Sequence, residues 1–195
     1  MLAAAQVQAE SLVDCDADAG KNKALTCTAC HGAAGNSANP LWPNIAGQHA
    51  KYTKSQLHAF KDGGRVNPLM SSQAMLLSDT DIADLAAYFE GLAGAAQPIA
   101  DPKLLARGEA LYRGGNPEED IPACTGCHGP TGRGNAAAVY PSLQGQHAAY
   151  TSKQLQDYAS GARKTGGKTQ IMQAISARLS TEDIEALASY VQGLR

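Results

Sequence analysis

Two short runs carry the chemistry of this sequence: Cys27-Thr28-Ala29-Cys30-His31 and Cys124-Thr125-Gly126-Cys127-His128. Each sets two thiols and an imidazole in one C-x-x-C-H pattern, the attachment signature of a c-type haem. Two cysteines so spaced can each form a thioether with a haem vinyl group. The histidine that follows at once is placed to reach the iron from one face. A C-x-x-C pair also serves as a redox couple or as half of a zinc site. Zinc would need four thiolate or imidazole ligands on one ion, yet each pair here sits at the same place in its own copy of a repeat. A thioredoxin-like couple would need a strand–helix context, and none precedes either run. The sequence is therefore read as carrying two covalently bound haem c groups, one on Cys27 and Cys30 and one on Cys124 and Cys127.

Around these runs the chain repeats itself, which settles its organisation. Trp42-Pro43-Asn44-Ile45-Ala46-Gly47-Gln48-His49-Ala50-Lys51-Tyr52-Thr53 returns as Tyr140-Pro141-Ser142-Leu143-Gln144-Gly145-Gln146-His147-Ala148-Ala149-Tyr150-Thr151. The offset grows from 97 at the cysteines to 102 at the C-terminal ends, so the copies differ by small loop insertions. Segments 18–26 and 102–112 read as helices leading into the cysteine runs, with Pro102 suited to a first turn. Segments 49–61 and 147–160 lack internal Gly or Pro and are closed by Gly63-Gly64 and Gly161. Ser78-Asp79-Thr80-Asp81 and Ser180-Thr181-Glu182-Asp183 resemble a capping box. Ile82, Leu85, Ala86 and Phe89 follow the first at helical spacing, as Ile184, Leu187, Ala188 and Val191 follow the second. No alternating strand pattern is evident. The expected fold is all-α, with domains at 1–97 (residues 1–17 a leader or tail) and 98–195, joined by a small-residue linker over 93–101.

Composition narrows the function. Aromatic residues make up 5% of 195 residues, with one Trp and two Phe, so each half has a thin side-chain core that a buried haem would complete. The net charge of −2 provides no basic field for nucleic acid. Residues 1–97 carry 6 Lys and Arg against 9 Asp and Glu, net −3, and residues 98–195 carry 10 against 9, net +1. No stretch is long enough to span a bilayer. Residues 1–9 (MLAAAQVQA) read as the tail of an export signal ending in Val7-Gln8-Ala9, which places the protein in the periplasm with the signal largely removed. Cys15 stands outside both haem runs. Leu12-Val13-Asp14-Cys15 departs from a lipid-attachment box at Asp14, so Cys15 reads as a free surface thiol.

An iron held by one histidine leaves its opposite face to be decided, and that ligand sets potential and reactivity. Met70 and Met172 each lie seven residues before the leucine of a capping signature, Leu77 or Leu179, and read as a loop before the last helix. Methionine is commonly a core filler, the reading given to Met75. His49 and His147 also pair across the repeat, 18 and 19 residues after His31 and His128, and form the rival ligand pair. His58 has Gln156 at its equivalent place and reads as a surface residue. Pro43 and Pro141 are candidates to accept the N–H of the His31 and His128 rings, fixing tautomer and ring angle.

At this point the chain resembles the dihaem cytochromes c4, over nearly all its length. The likeness rests on both C-x-x-C-H runs, the P-x-[IL]-x-G-Q segments, the methionines before L-S-[DT]-x-D, and the Y-x-x-G-L ends. The resemblance implies two class I cytochrome c domains related by a pseudo-two-fold, with haem propionates meeting between them. It implies His31 and Met70 on one iron and His128 and Met172 on the other. It further implies an electron carrier, not an enzyme, taking electrons from a quinol-oxidising complex or a small copper or haem protein and passing them to a terminal oxidase. A small dihaem dehydrogenase or peroxidase would need an open axial site, and a subunit of a larger haem complex would need a tightly bound partner. Cys15 and the leader lie outside the family pattern and leave peripheral membrane association open.

Overall fold

Side chains at the helix starts set most of the architecture. The computed structural model describes residues 15–164 and 169–195. The expected export signal over 1–9 and the segment Leu12-Val13-Asp14 lie outside the described residues. The first repeat contains α1 (Ala17–Lys23), α2 (Leu25–His31), α3 (Ala50–Lys61), α4 (Pro68–Met75) and α5 (Asp79–Glu90). The second contains α6 (Leu105–Gly114), α7 (Thr125–His128), α8 (Ala148–Ala159), α9 (Thr169–Ser176) and α10 (Thr181–Gln192). Both capping boxes form. The Ser78 Oγ accepts from Asp81 N at 3.1 Å while Ser78 N donates to Asp81 Oδ2 at 2.9 Å. Ser180 and Asp183 repeat the arrangement at 3.1 and 3.0 Å. Each satisfies two of the N–H groups that a helix start leaves unpaired.

Two segments differ from the sequence expectation. The methionines expected in loops lie in the helices α4 and α9. Asn67 starts α4, its side chain accepting from Leu69 N at 3.1 Å and Met70 N at 3.0 Å, and Pro68 fills the first turn. The helix expected over 18–26 is two, turning at Ala24, whose N–H returns to Gly20 O at 2.9 Å. The expected all-α class holds. Among the described residues only isolated bridges occur, Asn116 with Ile121 and Asn135 with Tyr140, and no helix is long and apolar enough to cross a membrane.

In each repeat the first helix crosses the last so closely that only glycine fits. A Cβ on Gly20 would strike the Asp84 carbonyl, and one on Gly108 would strike the Ala186 carbonyl. Charge clamps flank both crossings. Lys23 Nζ reaches Asp81 at 2.7 Å and the buried Asp84 at 2.8 Å. Arg107 reaches the buried Asp183 at 2.7 Å. Around the crossings sit two small cores. Ala24, Leu85 and Phe89 are buried in the first repeat. Leu111, Tyr112, Leu187, Tyr190, Val191 and Leu194 are buried in the second.

The repeats meet through reciprocal hydrogen bonds that share their pseudo-two-fold. Asn44 N donates to Gln146 Oε1 and Gln146 Nε2 returns to Asn44 O, both at 2.9 Å. At the equivalent pair, Ser142 N donates to Gln48 Oε1 and Gln48 Nε2 returns to Ser142 O, again at 2.9 Å. Each glutamine amide thus replaces a backbone partner for the other repeat. This fixes register between two pieces that no covalent bond holds except the linker.

Two outcomes test these clamps. Gly108→Ala should cost roughly 1–3 kcal/mol in denaturant unfolding of the intact protein, because backbone must move to admit the methyl group. Gly114→Ala, where nothing lies within 4 Å of the added Cβ, should change stability by no more than about 0.5 kcal/mol. Hydrogen bonds from Lys23 hold the Asp81 and Asp84 carboxyls below the usual carboxylate range. Their stabilisation is present above the ordinary carboxylate pKa and is lost as pH falls through the depressed folded value. Lys23→Met should therefore be less stable than wild type at neutral pH, and the gap should narrow steadily as pH falls below about 4. A gap that widens on acidification would contradict the clamp.

Candidate functional site

One continuous cavity of about 1360 Å³ runs through both repeats. Cys27, Cys30, His31 and Met70 line it from the first repeat, and Cys124, Cys127, His128 and Met172 from the second. Helix α2 carries Cys27, Cys30 and His31 in its last two turns, and the single turn of α7 carries Cys127 and His128, with Cys124 as its cap. Helices α4 and α9 carry the methionines that line the cavity. Met70 and Met172 are half-buried there, whereas Met75, expected as core filler, is 68% exposed.

The histidine geometry is defined by backbone. Nδ1 of His31 lies 2.8 Å from Pro43 O, and Nδ1 of His128 lies 3.0 Å from Pro141 O. A carbonyl oxygen can only accept, so each Nδ1 carries the proton and each Nε2 keeps its lone pair. Burial lowers the pKa of both rings, opposed by the bond to the proline carbonyl. Both imidazoles are thus neutral near pH 7, the form that binds a metal. Burial also raises the thiols, Cys27 above its usual value and Cys124 up to about 11. Burial of Cys27 and Cys124 thus disfavours the thiolate that a redox couple needs. Among the described residues no three His, Cys, Asp or Glu side chains converge as a metal site of their own.

The rival histidines are engaged elsewhere. His49 Nε2 lies 2.7 Å from Arg133 O, and the buried His147 places Nε2 2.9 Å from Ser37 O. Both reach across to the other repeat's backbone, and neither lines the cavity. His58 lies at the cavity wall with its Nδ1 3.9 Å from Asp79. Cys15 is exposed.

Unpaired polar atoms test whether a haem fits this interior. Thr53 Oγ1, Thr151 Oγ1 and Arg163 Nε are buried without a hydrogen-bond partner, and all three residues line the cavity. Buried polar groups are rarely left so, and a cofactor with an apolar ring and carboxylates suits both the walls and these donors. The sequence reading passed over Thr53, Thr151, Arg65 and Arg163. Its available signal was their shared offset of 98 across the repeat.

The cytochrome c family matches residues 17–93 and 105–195, one match for each repeat. Cytochrome c4 of Pseudomonas aeruginosa is 52% identical over 179 residues, covering 92% of this chain and 89% of that protein. The chain belongs to the cytochrome c4 family. Cytochrome c4 of Stutzerimonas stutzeri is 48% identical over 188 residues, covering 92% of this chain and 89% of that protein. The crystal structure of reduced recombinant cytochrome c4 from Pseudomonas stutzeri superposes with a TM-score of 0.89 at 47% identity, covering 93% of this chain and all of that one. A cytochrome c4 with two C-x-x-C-H runs carries two haem c groups, one in each repeat, and works in electron transfer rather than as an enzyme.

Proposed function

We propose that His31 and Met70 hold the first iron from its two faces, that His128 and Met172 hold the second, and that the domains divide between residues 97 and 98. The observation that supports this reading is the sharing of one cavity. Met70 and Met172 line the same cavity as the cysteines and histidines of both runs, while His49 and His147 lie outside it and bond backbone across the interface. Each bound haem c supplies a one-electron iron couple. The chain's part is to position and tune. Pro43 and Pro141 hold Nδ1 so that Nε2 of His31 and His128 faces inward in one tautomer. With the haems bound, the Met70 and Met172 thioethers would be the second protein ligands, which would favour reduced iron and raise the potential. Leu85, Phe89, Leu187 and Val191 line the cavity and keep water from it.

Irons so held would have no position for a substrate, and the protein serves as an electron carrier in the periplasm. Its donor is a quinol-oxidising complex or a small copper or haem protein, and its acceptor a terminal oxidase. Similarity to cytochromes c4 supports this placement, as does the exported nature of haem attachment to C-x-x-C-H in bacteria. The unlike charges of the two halves, −3 and +1, suit unlike partners.

Met70→His should leave one equivalent of the methionine–iron charge-transfer band of the oxidised protein where wild type has two. It should also lower one of the two potentials, which assigns that potential to the first haem. A variant that keeps both equivalents removes Met70 from the iron. Association with an oppositely charged redox partner should slow as salt is added, and an on-rate indifferent to ionic strength would overturn charge-guided docking.

A further inference from the structure

From Met70 to Leu77 and from Met172 to Leu179 the two repeats align position for position, at an offset of 102. Two of those positions differ in kind. Three residues after the methionine stands Gln73 in the first repeat and Ile175 in the second, and both line the cavity. Four residues after it stands Ala74 in the first and Ser176 in the second, and both are 0% exposed. Ser176 does not itself line the cavity. The second methionine thus has an apolar neighbour at the wall and a buried hydroxyl one turn along its helix.

That hydroxyl has no hydrogen-bond partner. A serine inside a helix commonly spends its hydroxyl on a carbonyl three or four residues back. Ser72 donates in this way to Pro68 O at 2.7 Å, and Ser55 to Tyr52 O at 2.7 Å. Ser176 donates to neither Met172 O nor Gln173 O. A buried hydroxyl left unpaired is costly, and Ala74 fills the matching place without one. The helix limits which side chain can accept. Residues three and four apart share a face, which sets Gln173 and Met172 nearest along α9. Gln173 is directed to the end of α8, its Nε2 donating to Arg163 O at 3.2 Å. Met172 remains, and a thioether sulfur is a weak acceptor.

We propose that Ser176 tunes the second haem alone, by hydrogen-bonding its hydroxyl to the Met172 thioether when that sulfur holds iron. Ser176 is a positioning residue, because it touches the ligand and not the iron. Its hydroxyl engages the sulfur lone pair that the iron leaves free and draws electron density from the thioether. A sulfur that donates less stabilises oxidised iron less, so the potential of the second haem rises. Ala74 gives the first haem no such donor. Two irons with the same kinds of ligand are thereby poised differently by one side chain. The role rests on the reading that Met172 holds the second iron.

Redox titration of haem-loaded Ser176→Ala tests it, a substitution whose size fits because alanine occupies the matching place in α4. The potential that Met70→His leaves in place belongs to the second haem. In Ser176→Ala that potential should fall, shifting the oxidised-to-reduced ratio of the second haem about threefold, or about 28 mV for one electron. The first potential should stay at its wild-type value. The methionine–iron charge-transfer band should keep two equivalents, one of them displaced in energy. A second potential that stays put or rises overturns the hydrogen bond. So do two potentials that fall together, since the effect would then be general packing. Fewer than two equivalents of the band in wild type would sink the ligation reading and this role with it. Two equivalents beside an unmoved second potential would sink this role alone.

Discussion

Each repeat of this chain folds around an interior that its own side chains cannot fill. The buried apolar clusters are small, with three residues in one half and six in the other, and a cavity of about 1360 Å³ lies against both. Walls that face a void forfeit their dispersion contacts, so the haems carry structure as well as electrons. The demand also explains why the halves must meet. The cavity is continuous, and residues that line it also stitch the interface: Asn44, Gln48, Ser142 and Gln146 do both. Filling the interior and docking the domains are one problem for this chain, and the reciprocal amide bonds are part of its solution.

What was legible in the sequence was what depends on near neighbours. The C-x-x-C-H runs and the capping boxes at Ser78 and Ser180 announce themselves within a few positions, and the duplication shows as whole segments matched at an offset of 97 to 102. Pro43 and Pro141, 12 and 13 residues beyond the histidines, stood out as candidate acceptors for the rings only because they recur at the same place in both copies. The helices α4 and α9 were missed because eight residues form barely two turns, too short for periodicity to show and too short to be stable without packing. Asn67-Pro68 was the available signal, a side-chain cap followed by the residue that best tolerates a first turn. The turn at Ala24 left no trace, since Ala24 itself keeps helical dihedrals. The bonds of Arg65 and Arg163 across the interface were hidden for a different reason. They join residues 85–111 positions apart, and only their common spacing between the repeats hinted that they belong together.

The two halves agree inside and disagree outside. The helix crossing at Gly20 and Gly108 is the same, yet a lysine clamps one and an arginine the other, from different positions on the helix. Among the described residues six large apolar side chains stand exposed on the first repeat, Leu25, Leu41, Val66, Leu69, Met75 and Leu76, against Ile171 on the second. By the alignment of the copies, Val66 and Leu76 correspond to Lys164 and Arg178, both exposed. The interior is constrained twice over by the same cofactor, so duplication preserved the cysteines, histidines, prolines and arginines that face it. The surface has no such template. Charge there alters the rate and direction of encounter far more than it alters the fold, which leaves one half free to become apolar and acidic and the other basic around a common core.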